Sequence, residues 1–198
     1  MAILQVISGT MGAGKTDKLC SLYHSIAELN QDLVRAYKPN TDTRSQTIES
    51  RSGKRIDNVK IIDSNVPDMI YWDIIMSMSE NEQTQESFTK YIFISEIQFF
   101  SREIIQVVKG LVECGLNVFC EGLMTDSKGN IFGYTHELSR IAQEQGIYEW
   151  VDMDCECCGV NRAVFNKCLV NSTEQVFIGG SNEYKAVCKN CFEWVKVV

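Results

Sequence analysis

Eight consecutive residues near the amino terminus have the composition of a phosphate-binding loop. Residues 9–16 read Gly-Thr-Met-Gly-Ala-Gly-Lys-Thr and fit the pattern G-x-x-x-x-G-K-[ST] without a mismatch. Glycines in this pattern let backbone N–H groups converge on phosphate oxygens, while Lys15 reaches the β- and γ-phosphates and the Thr16 hydroxyl can ligate Mg²⁺. The pattern predicts a site for ATP or GTP formed by Gly9, Thr10, Met11, Gly12, Ala13, Gly14, Lys15 and Thr16.

A second group of polar residues follows an apolar run, Tyr-Ile-Phe-Ile, at residues 91–94. Four consecutive apolar residues are typical of a buried parallel strand, so we expect Glu96 at the carboxyl end of that strand. Ligands of open parallel sheets gather at this edge. There Glu96 could accept a proton from an attacking hydroxyl, or orient a water, beside a γ-phosphate. Alternatively, it could cap the following helix, because glutamate is favoured at helix N-termini.

Cysteines are concentrated towards the carboxyl terminus, where two C-x-x-C pairs occur. Cys155 and Cys158 form the first pair, and Cys188 and Cys191 form the second. Two such pairs can present four thiolates to one tetrahedral ion, so they predict a structural Zn²⁺ site without an open coordination position. Cys157, which lies between two of the proposed ligands, could substitute in register. The alternative is that these are reduced cysteines packed as small hydrophobic residues.

Strands and helices must position these motifs. Hydrophobic periodicity predicts strands at residues 3–7, 33–37, 59–62, 91–94 and 117–120, and helices at residues 15–28, 69–78, 102–114 and 135–143. Strands that alternate with helices indicate an α/β fold with a parallel sheet and helices on both faces. From Val151 the pattern changes to short strands and cysteine pairs. We therefore expect a nucleotide-binding domain at residues 1–150 and a metal-binding subdomain at residues 151–198.

A long polar segment, residues 38–54, separates two of the predicted strands. It is longer than a simple connection, which points to a functional role. Its basic residues Arg51 and Lys54, with the adjacent Arg55, could contact phosphates, but the expectation is that they belong to a solvated charged loop.

Composition limits the classes of partner. The chain has 198 residues, 44% hydrophobic and 23% charged, which is typical of a globular protein. Its net charge of −7 disfavours binding to nucleic acid. No apolar run approaches the roughly 20 residues that span a bilayer, so no membrane partner is expected. Because the amino terminus lacks a basic region followed by a cleavage site, we expect a cytoplasmic location.

Further motifs lie between the phosphate loop and the second cysteine pair. Residues 38–44 end in Asp-Thr-Arg, residues 96–100 read Glu-Ile-Gln-Phe-Phe, and residues 122–129 read Gly-Leu-Met-Thr-Asp-Ser-Lys-Gly. Together with the phosphate loop and the cysteine pairs, and in this order along the chain, these motifs resemble those of the zinc-containing, cytosolic type II thymidine kinase family. Residues 176–184 are similar to the lasso loop that encloses the nucleoside in that family. The resemblance covers nearly the whole chain and implies a P-loop α/β domain followed by a zinc ribbon with a lasso loop.

The resemblance also implies a reaction, the transfer of the γ-phosphoryl group of ATP to the 5′-hydroxyl of thymidine. It implies that Glu96 is the general base. It also implies that Arg44 and Lys15 stabilise charge on the transferring phosphoryl group, and that Asp42 helps to organise Mg²⁺. It places Ser95 and Gln98 at the cofactor site. The implied nucleoside pocket is formed by Met11, Phe99, Phe132, Ile178, Gly179, Gly180 and Tyr184. Two aromatic faces of this set can sandwich a flat base.

The resemblance implies a homotetramer and feedback inhibition by thymidine triphosphate. The chain departs from the family pattern at three positions, with Ser95 and Met124 where the family has Asp and Ser127 where it has Phe. Asp126 could compensate electrostatically for Ser95. The departures leave open a modified pyrimidine nucleoside as the substrate, and a catalytically weakened homologue that acts as a nucleotide-binding or regulatory module. The acidic charge disfavours a third possibility, a P-loop ATPase that acts on nucleic acid.

Overall fold

A six-stranded parallel sheet forms the centre of the chain. The computed structural model describes residues 2–84, 89–170, 179 and 182–194, and for residues 79–84 and 194 it describes the backbone alone. The strands are β1 (Leu4–Gly9), β2 (Val34–Pro39), β3 (Ile48–Glu49), β4 (Arg55–Ile56), β5 (Val59–Ile62), β6 (Tyr91–Ile94), β7 (Asn117–Gly122), β8 (Ile147–Val151), β9 (Phe165–Cys168) and β10 (Tyr184–Val187). The large sheet has the order β5-β2-β6-β7-β1-β8, and its neighbouring strands are all parallel.

Helices cover both faces of this sheet, which confirms the predicted α/β fold. They are α1 (Lys15–Ala27), α2 (Asp68–Thr84), α3 (Ile104–Glu113), α4 (Thr135–Gln145) and α5 (Lys189–Trp194). Successive strand residues point to opposite faces, so Val6 joins one apolar cluster and Ile7 joins the other. Residues of α2, α3 and α4 pack in the first cluster. Leu19 and Tyr23 of α1 pack in the second.

The polar segment at residues 38–54 contains part of a small hairpin that the hydrophobic pattern did not indicate. Strands β3 and β4 pair antiparallel, with Ile48 opposite Ile56. Both isoleucines are buried in the same cluster as α1. An ion pair between Lys54 Nζ and Asp17 Oδ2, 2.8 Å long, also joins the hairpin to α1. The hairpin is therefore held over the start of α1, where the phosphate loop ends.

The carboxyl-terminal part is a small unit that we call the cysteine ribbon, residues 152–170 and 182–194. Strands β9 and β10 pair antiparallel, and α5 follows them. Its apolar cluster consists of Cys155, Val187 and Cys188. The rings of Phe165 and Phe192 stack beside this cluster, with centroids 4.5 Å apart.

The structure differs from the predicted elements mainly at the edges of the sheet. Strand β8 was not predicted. It is an edge strand whose residues are partly exposed, and Glu149 within it pairs with Lys18. The helix predicted at residues 69–78 extends to Thr84. The division of the chain at residue 150 stays a prediction. Within the described ranges, no helix has both the length and the apolar character needed to cross a bilayer.

Candidate active site

The phosphate loop connects the end of β1 to the start of α1, as the motif predicts. Gly12 (φ 81°) and Gly14 (φ 97°) have left-handed backbone conformations that residues with a Cβ rarely adopt. Gly14 is the N-cap of α1, and no side chain caps the helix there. The N–H groups of the first helical turn are therefore available to an anion such as a phosphate group.

Lys15 is buried within this loop, with 7% of its surface exposed. Its Nζ donates a hydrogen bond to the carbonyl oxygen of Thr10 at 2.9 Å. Burial lowers the pKa of the Lys15 ammonium, and the carboxylates of Glu121 and Glu96 act against that shift. A cation shielded from water interacts more strongly with phosphate than an exposed one does.

Glu96 lies directly beyond β6, in a left-handed conformation (φ 53°, ψ 46°). It is the one non-glycine residue with positive φ in the described ranges. Such conformations cost about 1–3 kcal/mol and cluster at functional sites. Its Oε1 accepts a hydrogen bond from Arg44 Nη2, and its Oε2 accepts one from Gln98 Nε2. Glu96 precedes a short 3-10 helix at Ile97–Phe99, but its side chain makes no capping hydrogen bond, so the capping alternative is not supported.

Arg44 belongs to a row of alternating basic and acidic side chains. Its Nε donates to Asp42 Oδ1 at 2.7 Å, and Asp42 Oδ2 pairs with Lys38 Nζ at 2.9 Å. Burial acts to lower the pKa of Arg44, but the carboxylates of Glu96 and Asp42 outweigh it and raise that pKa. Burial acts to raise the pKa of Asp42, yet hydrogen bonds from Arg44 and Lys38 hold it below its ordinary value. This row fixes the guanidinium beside Glu96.

Gln98 is placed where it can orient Glu96. Its amide nitrogen donates to Glu96, and its Oε1 accepts a hydrogen bond from the backbone N–H of Leu123 at 3.0 Å. The cofactor-binding role expected for Gln98 stays a prediction.

Glu121 is a site residue that sequence analysis missed. It is completely buried near the end of β7, and its Oε1 accepts hydrogen bonds from Ser95 Oγ at 2.5 Å and from the Glu96 N–H at 3.1 Å. Burial, and then the charge of Glu96, raise the pKa of Glu121 to about 7, while Lys15 and the Ser95 hydroxyl partly offset the shift. The available signal was an acidic side chain near the end of a strand that is otherwise mostly apolar.

The predicted residues converge on one cleft of about 660 Å³. Those on its wall are Met11, Gly12, Ala13, Gly14, Lys15, Thr16, Asp42, Arg44, Ser95, Glu96, Gln98, Phe99, Phe132, Gly179 and Tyr184. Gly9 and Thr10 belong to the loop but not to the wall, and Ile178 and Gly180 lie outside the described residues. A cleft of this volume suits a small-molecule substrate.

The aromatic part of the cleft differs from the expected sandwich. Phe99 and Phe132 contact each other edge to face, with ring centroids 5.5 Å apart and an angle of 89° between the ring planes. They therefore do not form two parallel walls around a flat base. Tyr184 is a third aromatic residue on the wall, and burial, followed by the neighbouring Cys168, raises its pKa to about 12. Its hydroxyl is therefore protonated at neutral pH.

Two residues outside the sequence motifs also contact the phosphate loop. The guanidinium of Arg51, from the hairpin, lies against Gly12, where an added Cβ would be 2.6 Å from Arg51 Nη1. Asn166, from the cysteine ribbon, accepts a hydrogen bond from the Met11 N–H at 2.6 Å. Arg51 is exposed, as expected for a solvated side chain, and it also lines the cleft. No sequence pattern joins positions so far apart, so folding alone brings them to the loop.

The four predicted zinc ligands form a cluster in the cysteine ribbon. The Sγ atoms of Cys155, Cys158, Cys188 and Cys191 lie within 4.8 Å of one another. Four thiolates at this spacing fit a tetrahedral Zn²⁺ ion, whose bonds to sulfur are about 2.3 Å long. Cys157 is exposed and is not a member of the cluster. The geometry therefore favours the first pair as predicted over the alternative register through Cys157.

A phosphate loop at the carboxyl edge of a parallel sheet, beside a row of acidic and basic side chains, defines a P-loop nucleotide-binding protein with a site suited to phosphoryl transfer. A family model described as Thymidine kinase matches residues 2–192. The chain therefore belongs to the thymidine kinase family. This membership indicates an ATP-dependent phosphotransferase and supports thymidine phosphorylation.

Individual relatives are similar over most of the chain. The thymidine kinase of Mycoplasma genitalium is 36% identical over 191 residues, which cover 93% of this chain and 80% of that protein. The thymidine kinase of Pseudothermotoga lettingae is 27% identical over 194 residues, which cover 97% of this chain and 95% of that protein.

Among solved structures, the chain is similar to the cytoplasmic domain of the Type VII secretion ATPase EccC from Thermomonospora curvata, with a TM-score of 0.46 and 12% identity. The match covers 72% of this chain and 18% of that one. A likeness at this level supports no argument about fold or function.

Proposed function

We propose that this protein transfers the γ-phosphoryl group of ATP to the 5′-hydroxyl of thymidine or a closely related pyrimidine deoxynucleoside. The observation that carries the proposal is the position of Glu96, which shares one cleft with Lys15 and is held by Arg44 and Gln98. A general base must reach the hydroxyl whose proton it accepts. A donor phosphate on the loop and an acceptor hydroxyl beside Glu96 would lie in the same cleft.

The phosphate loop is the donor end of the proposed site. Its backbone N–H groups and the Lys15 ammonium would hold the β- and γ-phosphates. Arg44 is 43% exposed at its side chain, so it can turn towards an arriving phosphoryl group. Phosphate oxygens would compete with Glu96 for the hydrogen bond from Arg44 Nη2, while the ion pair between Arg44 Nε and Asp42 would remain. This exchange would stabilise charge on the transferring group and release Glu96 at the same time.

The released Glu96 would then act as the general base. Its Oε1 accepts the proton of the 5′-hydroxyl as the new oxygen–phosphorus bond forms. The bond between the γ-phosphorus and the oxygen that bridges to the β-phosphate breaks, and ADP leaves with that electron pair. Gln98 keeps the other carboxylate oxygen in place during the transfer.

The aromatic part of the cleft is the nucleoside end of the proposed site. Phe99, Phe132 and Tyr184 offer apolar ring faces to a pyrimidine ring. Met124 does not line the cleft, and its Sδ accepts a hydrogen bond from Ser139 Oγ at 3.5 Å. Ser127 does line the cleft and is small, which leaves room for a substituted pyrimidine. For this reason the proposal includes nucleosides related to thymidine.

Two metal ions belong to the proposal. Thr16 and Ser95, beside the phosphate loop, would hold hydrated Mg²⁺, which when bound neutralises charge between the β- and γ-phosphates. Both residues line the cleft, where their hydroxyl oxygens can accept hydrogen bonds from metal-bound water. The four-cysteine cluster would hold one structural Zn²⁺.

A homotetramer, inhibition by thymidine triphosphate and a cytoplasmic location are implied by the family resemblance and stay predictions.

The test is a phosphate-transfer assay with radiolabelled ATP and a panel of pyrimidine deoxynucleosides. Glu96→Gln keeps the size of the side chain and removes the base, so kcat should fall by about 10²–10⁴-fold while ATP still binds. The matched control is Glu144→Gln. Glu144 is exposed on α4 and pairs with Arg140 at 2.7 Å, so the control should retain full activity.

Full activity in Glu96→Gln would overturn the proposed base. If the unmodified protein bound ATP but phosphorylated no nucleoside in the panel, the regulatory alternative would replace the kinase reaction.

A further inference from the structure

Glu121 carries a buried carboxyl group to which the proposed reaction assigns no task. Ser95 Oγ and the Glu96 N–H both donate to its Oε1, at 2.5 Å and 3.1 Å. Its Oε2 is buried and has no hydrogen-bond partner in the part of the chain that the structure describes. Burying a polar atom without a partner costs free energy, so this carboxyl group needs an explanation.

The charges around Glu121 belong to the phosphate site. Of the acidic residues that attract the Lys15 ammonium, Glu121 has the largest effect and Glu96 the second largest. Ser95, which lies between Glu121 and the open space, is on the wall of the cleft. Glu121 is therefore directly behind that wall, at the junction of the phosphate loop and the proposed base.

The hydrogen bond from Ser95 to Glu121 decides how the serine hydroxyl can interact with a ligand. A hydroxyl has one proton and two lone pairs, and Ser95 gives its proton to Glu121. On its other side Ser95 Oγ can only accept hydrogen bonds. A bond to a carboxylate also polarises the hydroxyl, which makes its oxygen a better acceptor. At a pH above the pKa of Glu121, which is about 7, the cleft is therefore lined by a neutral hydroxyl with a negative charge directly behind it.

The other acidic residues near the metal–phosphate region have different tasks. Asp126, which could have compensated for Ser95, accepts hydrogen bonds from the backbone N–H groups of Lys128 and Asn130, each at 2.9 Å, and so stabilises its own turn. The two oxygens of Asp42 pair with Arg44 and Lys38. Glu121 is the acid that contacts Ser95 directly.

We propose that Glu121 is a positioning residue for the metal–triphosphate complex, and that it acts through the Ser95 hydroxyl, which accepts hydrogen bonds from the water molecules of hydrated Mg²⁺. The inference rests on the proposed kinase function. Mg²⁺ in protein sites keeps several of its waters, and these waters are hydrogen-bond donors. The residue that directly follows β6, Ser95, thus supplies the acceptor oxygen, and Glu121 in the neighbouring strand β7 supplies the charge.

The experiment compares ATP binding with Mg²⁺ and with EDTA at pH 8, above the pKa of about 7 of Glu121, measured by calorimetry on the full chain without a nucleoside. Glu121→Gln keeps the shape and removes the charge, so it should weaken ATP binding in Mg²⁺ by about 10–100-fold. In EDTA the affinity should stay within about two-fold of the unmodified protein. The double variant Ser95→Asp with Glu121→Gln moves the carboxylate from β7 to β6 at constant net charge. It should restore most of the lost affinity.

A matched control is Glu137→Gln on α4. Glu137 also has a buried carboxylate oxygen without a partner in the described ranges, but it does not line the cleft. It should leave both affinities unchanged. If Glu121→Gln fails to fold, Ser95→Ala interrupts the same path and should show the same loss in Mg²⁺ alone.

Equal weakening with Mg²⁺ and with EDTA, no weakening, or no recovery in the double variant would each overturn the inference. Because no nucleoside is present, an error in the proposed phosphate acceptor would leave this measurement unaffected, so the two failures are distinguishable.

Discussion

The central sheet and the cysteine ribbon are stabilised by different interactions. The sheet buries an apolar cluster on each face, with Ile94 in one and Phe93 in the other, and helices cover both. The buried cluster of the ribbon consists of Val187 and two cysteines, Cys155 and Cys188, which are themselves candidate zinc ligands. So small a unit buries too little apolar surface to be stable by burial alone. The ribbon is therefore expected to depend on its metal, whereas the sheet depends on its core.

The two regions nevertheless form one active site. The ribbon supplies Asn166, which holds the backbone N–H of Met11 in the phosphate loop, and also supplies Tyr184 on the wall of the cleft. A change in the ribbon should therefore affect substrate binding although the sheet stays folded. The predictions below test this difference, beginning with the largest expected effect.

Removal of zinc should unfold the ribbon and leave the sheet intact. Zinc binding in small metal-dependent modules contributes an apparent 10–16 kcal/mol, roughly, and the ribbon has little else to replace it. In hydrogen–deuterium exchange with a strong chelator, we expect β9 and β10 to lose protection while β1, β6 and β7 keep theirs. Cys158→Ser should reproduce the effect, and Cys157→Ser, outside the cluster, should bind zinc normally. Equal protection of β9 and β10 with and without metal would contradict the prediction.

The two regions should respond to pH in opposite directions. The pKa of Glu121 is raised from 4.5 to about 7, so its contribution to stability is fully present below pH 4.5 and is lost as the pH rises through about 7. Although burial opposes it, backbone N–H groups lower the pKa of Cys155 from 9.0 to about 6. Because Zn²⁺ binds deprotonated thiols, the ribbon is expected to lose its metal, and stability with it, as the pH falls and the clustered cysteines become protonated.

Two measurements test whether the sheet and the ribbon depend on pH in opposite directions. The difference in Tm, that of the Glu121→Gln variant minus that of the unmodified protein, should increase by about 5 °C from pH 5 to pH 8. Zinc content after dialysis should be lower at pH 5 than at pH 8, because protonated thiols do not bind the metal. A Tm difference that does not change with pH would show that Glu121 has the same pKa in the folded and unfolded protein.

Loss of the contact between the regions should have the smallest effect. Asn166→Ala removes the acceptor for the partly buried Met11 N–H and should lower the free energy of unfolding by about 0.5–1.5 kcal/mol. It should also weaken nucleotide binding, because that N–H belongs to the phosphate loop. Arg162→Gln, an exposed position elsewhere in the ribbon, is the control, and both variants are measured by chemical denaturation and by calorimetry with ATP. Identical nucleotide affinity in Asn166→Ala would show that the ribbon does not support the loop.

Local patterns predicted much of the fold and part of the site. The phosphate loop, the strand at Tyr91–Ile94 and the two cysteine pairs were readable because their function depends on residues adjacent in sequence. Strand β8 and the hairpin could not be predicted from the sequence. Their strands are short or partly exposed, and their apolar residues do not alternate with a clear period. The edge-to-face contact of Phe99 and Phe132 also required coordinates, because composition does not specify ring orientation.

The sequence alone determined which chemical groups are present and which short segments can bind phosphate or metal, because neighbouring residues carry those properties along the chain. The tertiary structure decided which distant groups share an environment. Ser95 and Glu121 are 26 positions apart, and they meet because β6 and β7 pair in parallel at a register that aligns their carboxyl ends. Burial at that junction raises the pKa of Glu121, an effect of surroundings that no single segment contains.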